Sequence, residues 1–129
     1  LLGYLEGLKE KARSDGYVET LLGRRRPMAD IQSSNFILRS AAERAAMNMP
    51  IQGTEADLMK LAMVAVDEKL ADFAGAKQLL QIHDSILVEC SEDDAEEVAK
   101  VMQSTMEAIY ELPVKLAVDT SIGNNWGEL

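Results

Sequence analysis

The sequence has one cysteine and one histidine in 129 residues. A single cysteine excludes a disulfide framework and a cysteine zinc site, and it fits a reducing compartment, so the cytoplasm is the expected location. A single histidine, His83, disfavours zinc and also the metal phosphohydrolases built on several histidines. Cys90 stands seven residues from His83 with no third group to orient the pair, so nucleophilic catalysis has little support. Aromatic residues make up 5% of the chain, which leaves aliphatic side chains and seven adaptable methionines to fill the core. No apolar run reaches bilayer-spanning length and no stretch has the pattern of a signal peptide, so no membrane partner is expected. Repeats, low-complexity tracts and interdomain linkers are also lacking. The chain therefore reads as one domain or part of one, and its Leu-Leu start reads as that of a fragment.

What is present is unevenly spread. The net charge is −9. Residues 1–60 hold nine Lys/Arg and eight Asp/Glu, net +1, whereas residues 61–129 hold four and fourteen, net −10. Such asymmetry is compatible with a polyanion touching the first half only, and equally with a solvated acidic surface in the second.

Leu1, Leu5, Leu8 and Ala12 are spaced as on a helix over residues 1–14, which Gly16 ends as the residue past the C-cap. Tyr17–Leu22 reads as a strand, Gly23 as a turn, and Arg24, Arg25 and Arg26 follow. Three guanidinium groups beside a glycine suit phosphate contact, although basic triplets are common on surfaces. Ser33 or Ser34 is placed to cap a helix running to about Asn48, with Ile37, Ala41 and Ala45 packing. Pro50 is expected to interrupt it. Thr54-Glu55-Ala56-Asp57 resembles a capping box opening a second helix to about Phe73, with Leu58, Leu61, Ala62, Ala65 and Val66 as its core stripe. Between the two, Asn48 and Gln52 lie four residues apart. Their carboxamides can read base edges or a sugar, or serve only as a helix junction.

Leu79–Ile82 and Ile86–Val88 are β-prone runs around His83-Asp84-Ser85, the pattern of a tight hairpin with His and Asp at its tip. A hairpin pinned in a sheet holds a carboxylate rigidly near solvent, although Asp and Ser are also ordinary turn residues. Ser91 is placed to cap a third helix whose buried face carries Ala95, Val98, Met102 and Ile109. Val114–Val118 alternates like a strand that pairs with the hairpin, and Trp126 is expected to fold back onto the domain.

These stretches together resemble the DNA polymerases of family A, the bacterial DNA polymerase I type. Gly16–Arg26 resembles the segment that follows the fingers, and Ala42–Lys60 the helix-junction-helix near the primer. Gln81–Glu89 is similar to motif C, and Gly123–Trp126 to the C-terminal ending. Four blocks match in order across nearly the whole chain. The resemblance implies an α+β fold, an antiparallel sheet with packed helices, forming the C-terminal part of a polymerase palm with adjoining fingers elements. It implies template-directed addition of deoxynucleotides to a primer 3′ end by two-metal phosphoryl transfer. Asp84 would bind Mg²⁺ and His83 would lie by the primer terminus. Arg44, Asn48 and Gln52 would face the primer-template minor groove, where donors check pairing without reading sequence. Arg24 and Arg25 would sit near the same region. The implied partners are primer-template DNA, deoxynucleoside triphosphates and the remainder of the polymerase chain, with self-association of the isolated piece.

Two departures follow. The family's His-Asp-Glu is here His83-Asp84-Ser85, so the second carboxylate is absent. The strand bearing the first catalytic Asp and the helix that holds the triphosphate are also absent. The two-ion site is thus expected to be completed by residues outside this chain, and the isolated chain to be inactive. The alternative is a non-catalytic nucleic-acid-binding or self-associating module with a palm-like fold.

Overall fold

The computed structural model describes all residues, 1–129. The chain divides into two compact units, Leu1–Asp57 and Leu58–Leu129. The boundary falls inside one long helix, described below. Helices accompany two separate two-stranded antiparallel ladders, an α+β arrangement as expected.

The first unit opens with helix α1, Leu2–Asp15. Gly16 ends it at φ 77°, and its N–H returns to the Ala12 carbonyl at 3.0 Å. Only a residue without Cβ adopts that geometry at no cost. Strand β1, Tyr17–Glu19, pairs with β2, Arg25–Pro27. The expected strand to Leu22 is thus cut short. Thr20–Gly23 form the turn instead, closed by Gly23 N–H to Thr20 O at 3.0 Å with Gly23 at φ 91°. Leu21 is 59% exposed there. Its β-propensity lost to the turn because Thr20 has strong partners of its own.

Helix α2, Phe36–Leu70, is one continuous element of 35 residues. Its cap is Asn35 rather than Ser33 or Ser34: Asn35 Oδ1 accepts from Ile37 N–H at 2.9 Å and Leu38 N–H at 3.4 Å. Pro50 does not break α2 into two helices. Lacking an N–H, it leaves the Ala46 carbonyl without its usual amide. Pro50 is itself buried, and the helix beyond it is held by contacts described below. The buried face is Ala42 and Ala46, with Ala45 and Met49 against it, not Ile37 and Ala41, which are exposed. Together with Ala12, Val18, Met28 and Ile31 they form the core of this unit.

Gly53, mid-helix, is retained for close approach. A Cβ there would lie 2.7 Å from the Thr20 methyl carbon, and Thr20 is buried and hydrogen-bonded to Asp57. Gly53→Ala gains about 1 kcal/mol of helix propensity but displaces a charge-assisted bond of about 1.5–3 kcal/mol. The expected net loss is about 0.5–2 kcal/mol, read as a lowered denaturation midpoint. An unchanged or raised midpoint would show that Thr20 yields freely.

In the second unit α2 presents Ala62, Val66 and Leu70, all buried, at four-residue spacing. The chain turns at Gly75, φ 81°. Strands β3, Lys77–Ile82, and β4, Ser85–Glu89, pair antiparallel with a bulge between Gln78 and Leu80. Gln78 Nε2 donates to the Met63 carbonyl of α2 at 2.6 Å, tying β3 to the helix. Helix α3 runs Ala95–Glu107 after a 3-10 turn at Glu92–Asp94. Ser91 therefore precedes that turn rather than capping α3, and its hydroxyl donates to Asp94 Oδ2 at 2.9 Å. Val66, Leu70 and Val98 are the buried centre, with Phe73, Ile86, Val88 and Met102 packed around them.

Two expectations fail here. Val114–Val118 forms no strand. Both backbone groups of Val118 are taken by α3 side chains: Gln103 Nε2 donates to its carbonyl at 2.8 Å, and its N–H donates to Glu107 Oε1 at 3.1 Å. Trp126 does not fold back. It starts a short 3-10 turn and is 59% exposed.

Candidate nucleic-acid interface and metal-binding hairpin

Arg44, Asn48 and Gln52 come together on α2. Spaced by four residues in a continuous helix, they lie along an arc of about 80° and a rise of about 12 Å. All three are exposed. The uninterrupted helix sets these donors in one stripe, which a junction at Pro50 would have broken.

The opposite face of the same stretch carries a buried polar cluster that sequence reading missed. Asp57 Oδ2 accepts from Thr20 Oγ1 at 2.8 Å, and Asp57 Oδ1 from Arg24 Nε at 2.6 Å. Thr20 Oγ1 also accepts from Arg24 N–H at 3.1 Å, and Leu21 N–H donates to Thr54 Oγ1 at 2.9 Å. Thr54 Oγ1 in turn donates to the Pro50 carbonyl. Thr20 and Asp57 are 4% and 5% exposed, whereas Arg24 is 57% exposed at its side chain. The apparent capping box at Thr54–Asp57 is therefore helix interior, and its two polar side chains serve this cluster.

The arginine triplet does not act as one unit. Arg24 is held by Asp57. Arg25 lies over the Tyr17 ring, 4.3 Å from its centroid, with Nε 3.5 Å from Glu19 Oε2, its cross-strand partner. Arg26 stands opposite Val18. Alternation along β2 sends neighbouring side chains to opposite faces, and Arg24 is anchored on the side of α2 away from Arg44, Asn48 and Gln52.

The second unit holds the hairpin. Ile82 pairs with Ser85, so the tip is His83-Asp84 alone. His83 sits at φ 50°, the left-handed first corner that two-residue hairpins use. Gln81 Nε2 donates to the His83 carbonyl at 2.7 Å, and Ser85 Oγ to the Ile82 carbonyl at 2.9 Å. These bonds stiffen the tip, and neither was legible from residue type. Ser85 thus spends its hydroxyl on the turn. His83 and Asp84 are both exposed, and the Asp84 carboxylate is free to take a ligand.

No group of three His, Cys, Asp or Glu side chains is placed to hold a metal ion. Asp84 fits Mg²⁺ as one carboxylate ligand, because that ion keeps waters and takes substrate phosphates as further ligands. A complete site needs another carboxylate source. Burial, and then the nearby Asp94 carboxylate, push the Cys90 thiol up, which disfavours the thiolate.

The sequence pattern of DNA polymerase family A matches residues 1–128. DNA polymerase I of Deinococcus radiodurans is 50% identical over 95% of this chain and 13% of its own length. The thermostable DNA polymerase I of Thermus aquaticus is 47% identical over 95% of this chain and 15% of its own. Among solved structures, the POL domain of Pol1 from M. smegmatis, in complex with DNA primer-template and dNTP, superimposes with a TM-score of 0.93 at 42% identity. The match covers 98% of this chain and 22% of that one. The fold is therefore that of a segment of a polymerase domain. The chain belongs to DNA polymerase family A. It spans about an eighth to a seventh of the length of those two curated relatives.

Proposed function

We propose that the chain forms the C-terminal part of the palm, with adjoining fingers elements, of a polymerase that extends a DNA primer on a template. The observation that carries this reading is the superposition of 98% of this chain on part of a polymerase domain solved with primer-template and dNTP. Arg44, Asn48 and Gln52 donate to minor-groove acceptors, which every correct base pair offers in similar places. Asp84 offers its carboxylate to Mg²⁺ at the hairpin tip, and His83 borders the primer terminus. The exposed parts of Arg24 and Arg25 are each offered to a backbone phosphate, away from the donor stripe. When bound, Mg²⁺ stabilises the attacking and leaving oxygens of phosphoryl transfer. A further carboxylate and the triphosphate ligands come from the rest of the polymerase chain, so the isolated segment does not extend primers.

Exposed Phe36, Ile37 and Val114 are surfaces for that remaining chain, and in its absence for self-association. No helix is long and apolar enough to cross a membrane, and the proposed compartment is the cytoplasm, with its DNA and nucleotides.

The test is Gln52→Ala in the complete polymerase. Losing one neutral hydrogen bond to the duplex should cost about 0.5–1.5 kcal/mol, roughly twofold to tenfold in kcat/KM for primer-template, with thermal stability nearly unchanged. Unchanged extension with a lowered melting point would make Gln52 a structural residue and remove the groove reading.

A further inference from the structure

We infer that Thr20, Arg24 and Asp57 are positioning residues: they clamp the proline-containing turn of α2 from behind and so hold Gln52 in line with Arg44 and Asn48 for the duplex. This rests on the groove reading above and extends it to side chains that touch no DNA.

Residues 50–53 are the weakest stretch of α2. Pro50 removes an amide and Gly53 is the poorest helix former after proline, so the two lie within one turn. Thr54 Oγ1 bonded back to the Pro50 carbonyl further loosens the backbone ladder. Such a turn bends or slips unless something outside the helix fixes it. Gln52 lies in that turn, and Arg44 and Asn48 lie before it. A change of twist at Pro50 would rotate Gln52 away from the line of the other two.

The Thr20–Arg24 turn supplies the outside support. It meets α2 at three successive points of one face: the Thr20 methyl against Gly53, Leu21 N–H on Thr54 Oγ1 at 2.9 Å, and Thr20 Oγ1 and Arg24 Nε on Asp57 at 2.8 and 2.6 Å. By helical geometry this face lies roughly 170° from the donor stripe. The clamp therefore leaves the stripe open while fixing its phase. Thr20 and Asp57 are almost fully shielded from water, so the bonds between them resist exchange with solvent. Arg24 enters through Nε and is the cation of this cluster, which gives its position in the chain a reason independent of phosphate.

The test uses the complete polymerase and measures kcat/KM for primer-template in single-nucleotide extension. Asp57→Asn keeps shape and removes the charge, and should lower kcat/KM about tenfold by weakening two charge-assisted bonds. In a Gln52→Ala background the same change should cost no more than about twofold, because the side chain being positioned is gone. Thr20→Val should behave like Asp57→Asn, while Thr20→Ser, which keeps the hydroxyl, should restore most of the rate. If Asp57→Asn does not fold, Thr20→Val carries the same comparison. Equal fold-losses in the two backgrounds overturn the clamp even when Gln52→Ala is itself damaging. A Gln52→Ala enzyme with normal primer use removes the groove reading and the clamp with it. The salt dependence of DNA binding gives a second readout. Its slope should be the same in Asp57→Asn as in the wild type. A slope lower by about one would show that Asp57 acts by placing Arg24 on a phosphate instead of by positioning Gln52, and would overturn the inference.

Discussion

Asp84→Asn is expected to slow single-turnover nucleotide addition by the complete polymerase about a thousandfold, ~4 kcal/mol in the barrier, while primer-template affinity stays within about threefold. The substitution keeps the shape of the side chain and removes its charge. Nothing else at the tip replaces that charge: His83 carries no carboxylate, and the Ser85 hydroxyl already donates to the Ile82 carbonyl. A hard cation loses most when an anionic oxygen becomes a neutral one. Ser85→Ala, by contrast, removes a single turn-closing bond and should cost about 0.5–1.5 kcal/mol of local stability with a mild effect on rate. If Ser85→Ala is as damaging as Asp84→Asn, the hydroxyl has a positive role in the chemistry. If Asp84→Asn keeps near-normal rates, Asp84 is only a turn residue and the metal reading of the hairpin fails.

Leu70→Ala should destabilise the second unit by about 2–5 kcal/mol. Its buried centre has few large side chains: Val66, Leu70 and Val98, with Ile86 and Val88 of the hairpin resting on them. Refilling the cavity requires the partly exposed neighbours, Phe73, Ile86 or Met102, to move inward. The cluster to which Leu70 belongs also supports β4, the strand that begins at the tip. The loss of stability should therefore be accompanied by a lower rate of nucleotide addition, recovered in part by Leu70→Met. Thermal or denaturant unfolding of the polymerase, paired with single-turnover rates, checks both. A midpoint unchanged by Leu70→Ala would mean that this cluster does not support the hairpin.

The parts legible in the sequence were those with a local signature. The end of α1 at Gly16 was readable because a glycine after a periodic run serves as a left-handed terminus. The β3–β4 hairpin was readable because two apolar runs enclosed a polar corner. The phase of α2 was not. Residues 41, 42, 45 and 46 are all alanine, so composition could not tell the buried pair, Ala42 and Ala46, from the exposed Ala41. Val114–Val118 had the alternation of a strand, yet strand pairing needs a partner edge. The α3 side chains Gln103 and Glu107 took the Val118 backbone instead.

By itself the sequence determined the places of α1, the β3–β4 hairpin and α3, the family blocks and the kinds of chemistry on offer: donors at Arg44, Asn48 and Gln52, and one carboxylate at Asp84. Each depends on neighbours only a few residues away, where helical and strand periodicities act. Only the tertiary structure decided that α2 runs unbroken through Pro50, and therefore that the three donors form one stripe. Proline weakens a helix locally, and contacts from elsewhere in the fold can outweigh that cost. Here they come from Thr20, which reaches Asp57 across 37 positions of sequence. A hydroxyl and a carboxylate so far apart leave no periodic trace, and their bond exists only because the β1–β2 turn packs against Gly53.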